Sequence, residues 1–244
     1  MNYKKLYDEV GSRIGWNFDG LKVKVFGKKW NFLDVVKRYA LNDHLLLDIG
    51  TGSGEKLLKI SKFVKNSYGV DNSKNMIIRA KENLEKSGIS NIFLFLSNAA
   101  KLPFKKEVFD IVICRHSPFF VEEVRRVLKT HGVFITQQVM EDDKENIKNV
   151  FGRGQSFGIK PGTSMGKYIK ELKNGFDILR SDTYNADEYY TEDELIFLLN
   201  NTPIIPDFDV EKDQNFLEEI KMMYKTKDGI KTNSSRFLIV ARKS

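Results

Sequence analysis

Cysteine is nearly missing from this chain, since Cys114 is the single one among 244 residues. A lone thiol excludes an internal disulfide framework and is typical of a reducing compartment, so we expect a cytoplasmic protein. Long apolar runs are missing as well, and we therefore expect no membrane partner. The opening segment, MNYKKLYDEV, lacks the apolar stretch of a secretory signal.

A dense basic block is also lacking, although the net charge is +7 and the pI is near 9.2. Nucleic-acid sites group Lys and Arg with aromatic side chains, because the cations neutralise phosphates. Here the lysines are scattered between acidic patches, and only a modest cluster occurs near the N-terminus, at Lys22, Lys24, Lys28 and Lys29. We therefore favour a small-molecule partner over a nucleic acid.

The most informative segment that is present is LLLDIGTGSG, residues 45–54. It predicts a buried strand over Leu45–Ile49, a glycine turn, and a helix that begins near Glu55. Strand, glycine turn and helix form nucleotide-sized sites at the carboxyl edge of α/β sheets. Glycine at positions 50, 52 and 54 lets the backbone approach a ligand closely.

Two acidic residues in this segment argue against a dinucleotide. In the G-x-G-x-x-G/A fingerprint the third small residue permits helix–strand packing beside a pyrophosphate, but that position is Glu55 here. Asp48 lies just ahead of the glycines, where it suits an ammonium group better than a phosphate. The turn therefore favours a ligand with a cationic amino-acid end.

The next strand, NSYGVD, also ends in an acid, Asp71, which follows Asp48 by 23 residues. A carboxylate at that position can accept hydrogen bonds from both hydroxyls of a ribose. We predict that the following helix is capped by Ser73 and stops at Gly88, with Met76 against an adenine face. Asp48, the glycines and Asp71 together suit an adenosine that carries an amino acid.

With these motifs the central half of the sequence resembles the class I, Rossmann-like S-adenosylmethionine-dependent methyltransferases, in particular the methyltransferase type 11 and ubiquinone–menaquinone-biosynthesis group. LLLDIGTGSG, YGVDNSKNM, LSNAAKLPF, FDIVICRHSP and VRRVLKTHGVFIT match five motifs of that family in order. The resemblance implies S-adenosylmethionine as cofactor, S-adenosylhomocysteine as product, and no metal. It implies a cofactor site formed by Asp48, Gly50, Thr51, Gly52, Asp71, Asn72, Met76, Asn98, Ala99 and Arg115. The frequent Asp of the adenine loop is replaced by Asn98, whose amide oxygen can still accept a hydrogen bond.

His116 is the candidate catalytic base, because it follows the fourth strand of the predicted core, where the methyl group should lie, and imidazole titrates near neutrality. The alternative is that His116 only caps the strand or contacts the cofactor through its backbone. Arg115-His116-Ser117-Pro118 lacks the carboxamide motif of exocyclic-amine methyltransferases. Cys114 lies within the strand, which argues against pyrimidine C5 methylation.

The fold class is predicted as α/β, with a doubly wound, mostly parallel seven-stranded sheet and helices on both faces. We expect one domain over residues 1–244: N-terminal helices over 1–40, a cofactor-binding core over 41–140, and an insertion over 186–235. Thr191 begins a capping box in the insertion. We predict that the insertion and the N-terminal helices cap the substrate pocket, with apolar walls from Tyr3, Tyr7, Trp16, Phe18, Trp30 and Phe32.

The sequence leaves the methyl acceptor open, and two alternatives remain. An rRNA guanine methyltransferase has a similar short link from HSPFF into VEEVRRVLK, but its zinc-binding cysteine module is missing here. A protein that binds S-adenosylmethionine without catalysis would carry the same motifs.

Overall fold

The computed structural model describes residues 21–244, and one twisted sheet organises this part of the chain. Its strands are β1 Lys24–Phe26, β2 Leu45–Ile49, β3 Asn66–Asp71, β4 Ile92–Leu96, β5 Phe109–Arg115, β6 Leu128–Val139, β7 Phe176–Tyr190, β8 Lys225–Thr226 and β9 Gly229–Lys243. Their spatial order is β1-β7-β9-β6-β5-β2-β3-β4, and β8 pairs with β9. Strands β2 to β6 run parallel, whereas β7 and β9 join in antiparallel pairing.

Helices cover both faces of the sheet. They are α1 Phe32–Lys37, α2 Glu55–Ile60, α3 Lys74–Ser87, α4 Val121–Val127, α5 Glu145–Phe151, α6 Thr163–Leu172, α7 Glu192–Asn201 and α8 Gln214–Tyr224. One apolar cluster on one face includes Val124 and Leu172, and a second cluster on the other face includes Val36 and Leu57. The predicted doubly wound α/β fold is therefore confirmed.

Local capping chemistry sets several helix ends as predicted. The Ser73 hydroxyl accepts a hydrogen bond from the Met76 amide at 3.2 Å, and α3 ends at Gly88 in a left-handed conformation. Thr191 and Glu194 form the reciprocal capping box at the start of α7. These contacts satisfy backbone N–H groups that a helix end would otherwise leave without partners.

Three details of the predicted fold differ in the described residues. The segment over 1–40 is not wholly helical, because Lys24–Phe26 is a strand that pairs with residues 187–189 of β7. The sheet contains β1 and β8 in addition to the seven predicted strands. Strands β7 and β9 include the first and last residues of the predicted insertion over 186–235, so the connection between the two strands is shorter and comprises residues 191–228.

The connection over 191–228 packs beside the sheet through its own apolar cluster. Leu195, Leu199, Leu217 and Ile220 are buried there against Phe151 of α5. These apolar residues of α7 and α8 are buried because these sides of the helices cover the long β7 and β9 strands.

Candidate active site

The carboxyl ends of β2, β3 and β5 meet at a cavity of about 500 Å³. Every one of the predicted site residues lines it: Asp48, Gly50, Thr51, Gly52, Asp71, Asn72, Met76, Asn98, Ala99, Arg115 and His116. The parallel register places the ends of these strands side by side, which is where open α/β sheets form their ligand sites. The structure therefore brings together residues that are up to 68 positions apart, from 48 to 116.

The glycine turn is held against two neighbouring segments. The amides of Gly50 and Thr51 both donate to the carbonyl of Val70, at 2.9 and 3.0 Å. Gly50 has a φ of +74°, and a Cβ added to it would lie 2.1 Å from the Ser117 hydroxyl oxygen. The close approach leaves no space for a side chain at position 50, so glycine is required there both for conformation and for packing.

Asp71 connects the turn to the following helix. One of its carboxylate oxygens accepts from the Gly52 amide and the other accepts from the Ser73 amide, each at 2.9 Å. This geometry orients the carboxylate at the tip of β3, beside the cavity.

Asp48 is buried at the base of the cavity, with 5% of its surface exposed. Burial raises the pKa of its carboxyl to about 7, and the nearby Asp71 charge adds to the increase, while the adjacent Thr51 side chain and the Arg115 charge oppose it. A cationic group placed in the cavity would favour the ionised form of Asp48.

The cavity is also lined by residues that were not predicted as part of the site. They combine polar and aromatic side chains: Ser117, Phe120, Gln138, Gln155, Ser156, Ser164, Tyr168 and Phe237. Phe32 lines the cavity as predicted, whereas Trp30 does not and instead donates a hydrogen bond to Gln137. The remaining predicted aromatic walls, Tyr3, Tyr7, Trp16 and Phe18, lie outside the described residues.

Comparison with known proteins identifies the family. The sequence model of the methyltransferase domain matches residues 42–194, which include the β2 turn, the tip of β3 and the end of β5. The chain belongs to the methyltransferase-domain family. The prediction of a class I S-adenosylmethionine-dependent methyltransferase is thereby confirmed at the level of the family.

Individual relatives match parts of this methyltransferase. It is 36% identical over 100 residues to the uncharacterized methyltransferase YcgJ of Bacillus subtilis, over 38% of this chain and 40% of that protein. It is 29% identical over 137 residues to the demethylmenaquinone methyltransferase of Lactococcus lactis, over 51% of this chain and 54% of that protein. The matches thus span about half the length of these curated relatives or less.

The structural similarity covers more of the chain than the sequence matches do. The crystal structure of YcgJ superposes with a TM-score of 0.62 over 86% of this methyltransferase and 97% of that chain, at 23% identity. At this identity the likeness shows the fold alone, and it confirms the Rossmann-like architecture.

The glycine- and serine-rich segment over 152–162 reaches the cavity because two buried charged residues of the methyltransferase hold it. The carboxylate of Glu141 accepts from the amides of Gly162 and Ser164, at 2.9 and 2.7 Å, and so caps the first turn of α6. The Lys148 ammonium donates to the carbonyls of Glu141 and Gln155. These bonds, from residues next to β6, fix one wall of the cavity.

Replacing Glu141 by alanine should loosen that wall, since a hydrogen bond to a charged group contributes about 1.5–3 kcal/mol. We expect amide hydrogen exchange at Gly162 and Ser164 to become at least roughly tenfold faster in E141A. The control is Glu145→Ala, which removes an exposed carboxylate from the neighbouring helix. Equal exchange rates in E141A and the wild type would show that Glu141 does not hold the segment.

Two kinds of feature are absent from the described residues, metal-binding clusters and membrane-spanning helices. Within residues 21–244, no group of three or more His, Cys, Asp or Glu side chains is placed to hold a metal ion. In the same residues, no helix has the length and apolar character to cross a membrane. None of the described residues over 186–235 lines the cavity, so the predicted cap function of that insertion stays a prediction.

Proposed function

We propose that this protein transfers the methyl group of S-adenosylmethionine to a small-molecule acceptor. The observation that supports the proposal is that one cavity brings together the glycine turn, Asp48 and Asp71, and the adenine-side loop of the family motifs. Its volume of about 500 Å³ lies in the range of ordinary small-molecule sites. When bound, S-adenosylmethionine supplies an electrophilic methyl group on a sulfonium.

The residues present fit this cofactor. The glycine turn leaves an approach without side chains, and Asp48 lies where it would face the ammonium of the amino-acid end. Asp71 lies at the tip of β3, where it would accept from ribose hydroxyls. Asn72 and Met76 line the same cavity, where they would flank the adenine, and Asn98 would meet the adenine edge.

The rest of the cavity lining supports a small acceptor. Phe120, Tyr168 and Phe237 contribute apolar walls, and Gln155 and Ser156 of the segment over 152–162 also line it. Such walls would exclude water and align an acceptor with the methyl group, and alignment is the main contribution that a methyl transfer needs. A pocket of about 500 Å³ with such walls favours a small molecule over a base within a folded RNA.

Asp71→Ala should weaken binding of S-adenosylmethionine and S-adenosylhomocysteine by roughly 30-fold, or about 2 kcal/mol, because the ribose loses a charged acceptor. Isothermal titration calorimetry at pH 7.5 measures the change. No binding of either nucleoside by the wild type would refute the proposed function.

The matched control is Asp110→Ala. Asp110 is another carboxylate that accepts from a backbone amide, that of Leu45 at 2.8 Å, but it lies at the amino end of β2, away from the cavity. Its removal should lower stability and leave nucleoside affinity within about twofold of the wild type. Equal losses of affinity in both variants would mean that Asp71 acts only through the fold.

A further inference from the structure

Three side chains form a directed hydrogen-bond chain beside the cavity. The indole N–H of Trp30 donates to an amide atom of Gln137 at 2.8 Å, and the other amide atom of Gln137 lies 3.0 Å from Nε2 of His116. Gln137 is buried, with 4% of its surface exposed, and lies on β6 next to the end of β5. These hydrogen bonds connect Trp30, which does not line the cavity, to His116, which does.

The direction of this chain follows from the indole. Trp is only a donor, so the Gln137 atom that faces it must be the amide oxygen. The amide nitrogen of Gln137 therefore faces His116 and donates to Nε2. Since Nε2 accepts, the neutral imidazole carries its proton on Nδ1.

We infer that His116 donates a hydrogen bond through Nδ1–H to the molecule that receives the methyl group, and that this bond orients that molecule. The atom that receives the hydrogen bond is an oxygen that can only accept, in a carboxylate, a phenolate or a carbonyl group. The inference rests on the proposed function and deepens it by naming the chemical class of the acceptor. No described residue forms a hydrogen bond with Nδ1, so this atom is available to a molecule in the cavity that His116 lines. Its role differs from that of the general base predicted from the sequence, which would need a lone pair directed at the acceptor.

The charges around His116 favour the same class of ligand. Burial and the charges of Arg115, Arg236 and Lys56 hold the pKa of His116 well below its ordinary value, so the ring stays neutral near pH 7. Of these three cations, Arg115 and Lys56 line the cavity, whereas Arg236 forms an ion pair with Asp143. Among the described residues, the carboxylates that line the cavity are Asp48 of β2, Glu55 at the start of α2 and Asp71 at the tip of β3. Near His116 an anionic oxygen on the acceptor is therefore favoured by the charges of Arg115 and Lys56 and by an N–H donor, whereas an ammonium there would meet like charges.

The tautomer can be measured without knowing the acceptor. The chain has three histidines, so ¹⁵N–¹H correlation spectra of the imidazole rings can be assigned by the loss of one set in His116→Asn. We expect His116 of the wild type at pH 7 to show a proton on Nδ1 and an unprotonated Nε2. A proton on Nε2, or on both nitrogens, would overturn the inference.

Substitutions in this hydrogen-bonded series test whether Gln137 sets the tautomer of His116. In Gln137→Glu both carboxylate oxygens accept, so the His116 proton should move to Nε2. In Trp30→Phe the amide can rotate, and a mixture of the two tautomers is expected. Spectra identical to the wild type in Q137E would overturn the positioning role of Gln137, while unchanged spectra of the other two histidines report that the variant remains folded.

Ligand class is tested with benzoate and benzylamine as probes, in protein saturated with S-adenosylhomocysteine. Benzoate should shift the His116 ring signals and bind at least fivefold more tightly than benzylamine. His116→Phe should lose that preference, and His116→Asn, which keeps an N–H donor, should retain most of it. Equal binding of the two probes would overturn the assigned class. Failure of S-adenosylhomocysteine to bind would instead refute the proposed function and leave the tautomer result intact.

Discussion

Gly50→Ala should cost the protein about 2–5 kcal/mol of unfolding free energy and at least roughly tenfold in affinity for S-adenosylmethionine. The backbone term is about 1–2 kcal/mol, because an alanine at a φ of +74° is strained. The packing term is about 1–3 kcal/mol, because the new methyl group would lie 2.3 Å from the Cβ of Ser117 as well as against its hydroxyl. Relief requires the turn or the segment after β5 to move, and both line the cavity.

Two further variants separate these contributions. Gly88 has a similar φ, +67°, but no atom lies within 4 Å of an added Cβ, so Gly88→Ala carries only the backbone cost of about 1 kcal/mol. Ser117→Gly removes both overlapping atoms and should restore part of the stability of G50A in the double variant. Urea unfolding measures the free energies, and calorimetry measures the affinities. Equal costs of G50A and G88A would show that the contact with Ser117 is unimportant.

Asp48→Asn should make the ligand-free protein more stable at alkaline pH, relative to the wild type. The pKa of Asp48 is about 7 in the folded protein and 3.8 as its ordinary value, so the folded state binds more protons than the unfolded state between these values. The stability that the neutral carboxyl contributes is therefore lost as pH rises through this window. Above pH 7 the folded protein bears the full free-energy cost of a buried, ionised Asp48. From pH 5 to pH 8, the unfolding free energy of D48N minus that of the wild type should therefore rise by about 3 kcal/mol.

The same substitution should impair binding. S-adenosylmethionine carries an ammonium that the ionised Asp48 would face, so D48N should bind it roughly ten- to a hundredfold more weakly at pH 8. Urea unfolding of both proteins at pH 5 and pH 8, without ligand, isolates the Asp48 contribution because other titrating groups cancel in the difference. A difference that does not change with pH would contradict the raised pKa of Asp48.

The sequence predicts those parts of the molecule that depend on short segments. Strand Leu45–Ile49 matches its predicted bounds, because polar positions and turn residues flank its apolar run. The ends of α3 and α7 follow from Ser73, Gly88 and Thr191, whose caps are formed within one turn of helix. The site residues that follow strand ends could be predicted for the same reason, since parallel strands bring their carboxyl ends to one edge.

What the sequence did not predict depends on distant partners. Strand β1 forms because residues 24–26 pair with residues 187–189, and the alternating KVKVF segment does not indicate which segment it pairs with. The long polar half of β7 is a strand only because β9 pairs with it. Gln155 and Ser156 reach the cavity because Lys148 and Glu141 hold their segment there. These contacts are tertiary, and they override local propensity.

The insertion of β9 between β6 and β7 affects how the chain folds. Val133 pairs with Arg242, so this part of the sheet forms only when segments more than a hundred positions apart meet, and contacts of such high order slow folding. Until then β6, whose residues 132–138 are buried in the folded protein, exposes unpaired backbone N–H and C=O groups that can pair with other chains. Production at low temperature and low concentration should therefore raise the yield of folded protein, since dilution slows association between chains while leaving the closure of β9 onto its own β6 unaffected.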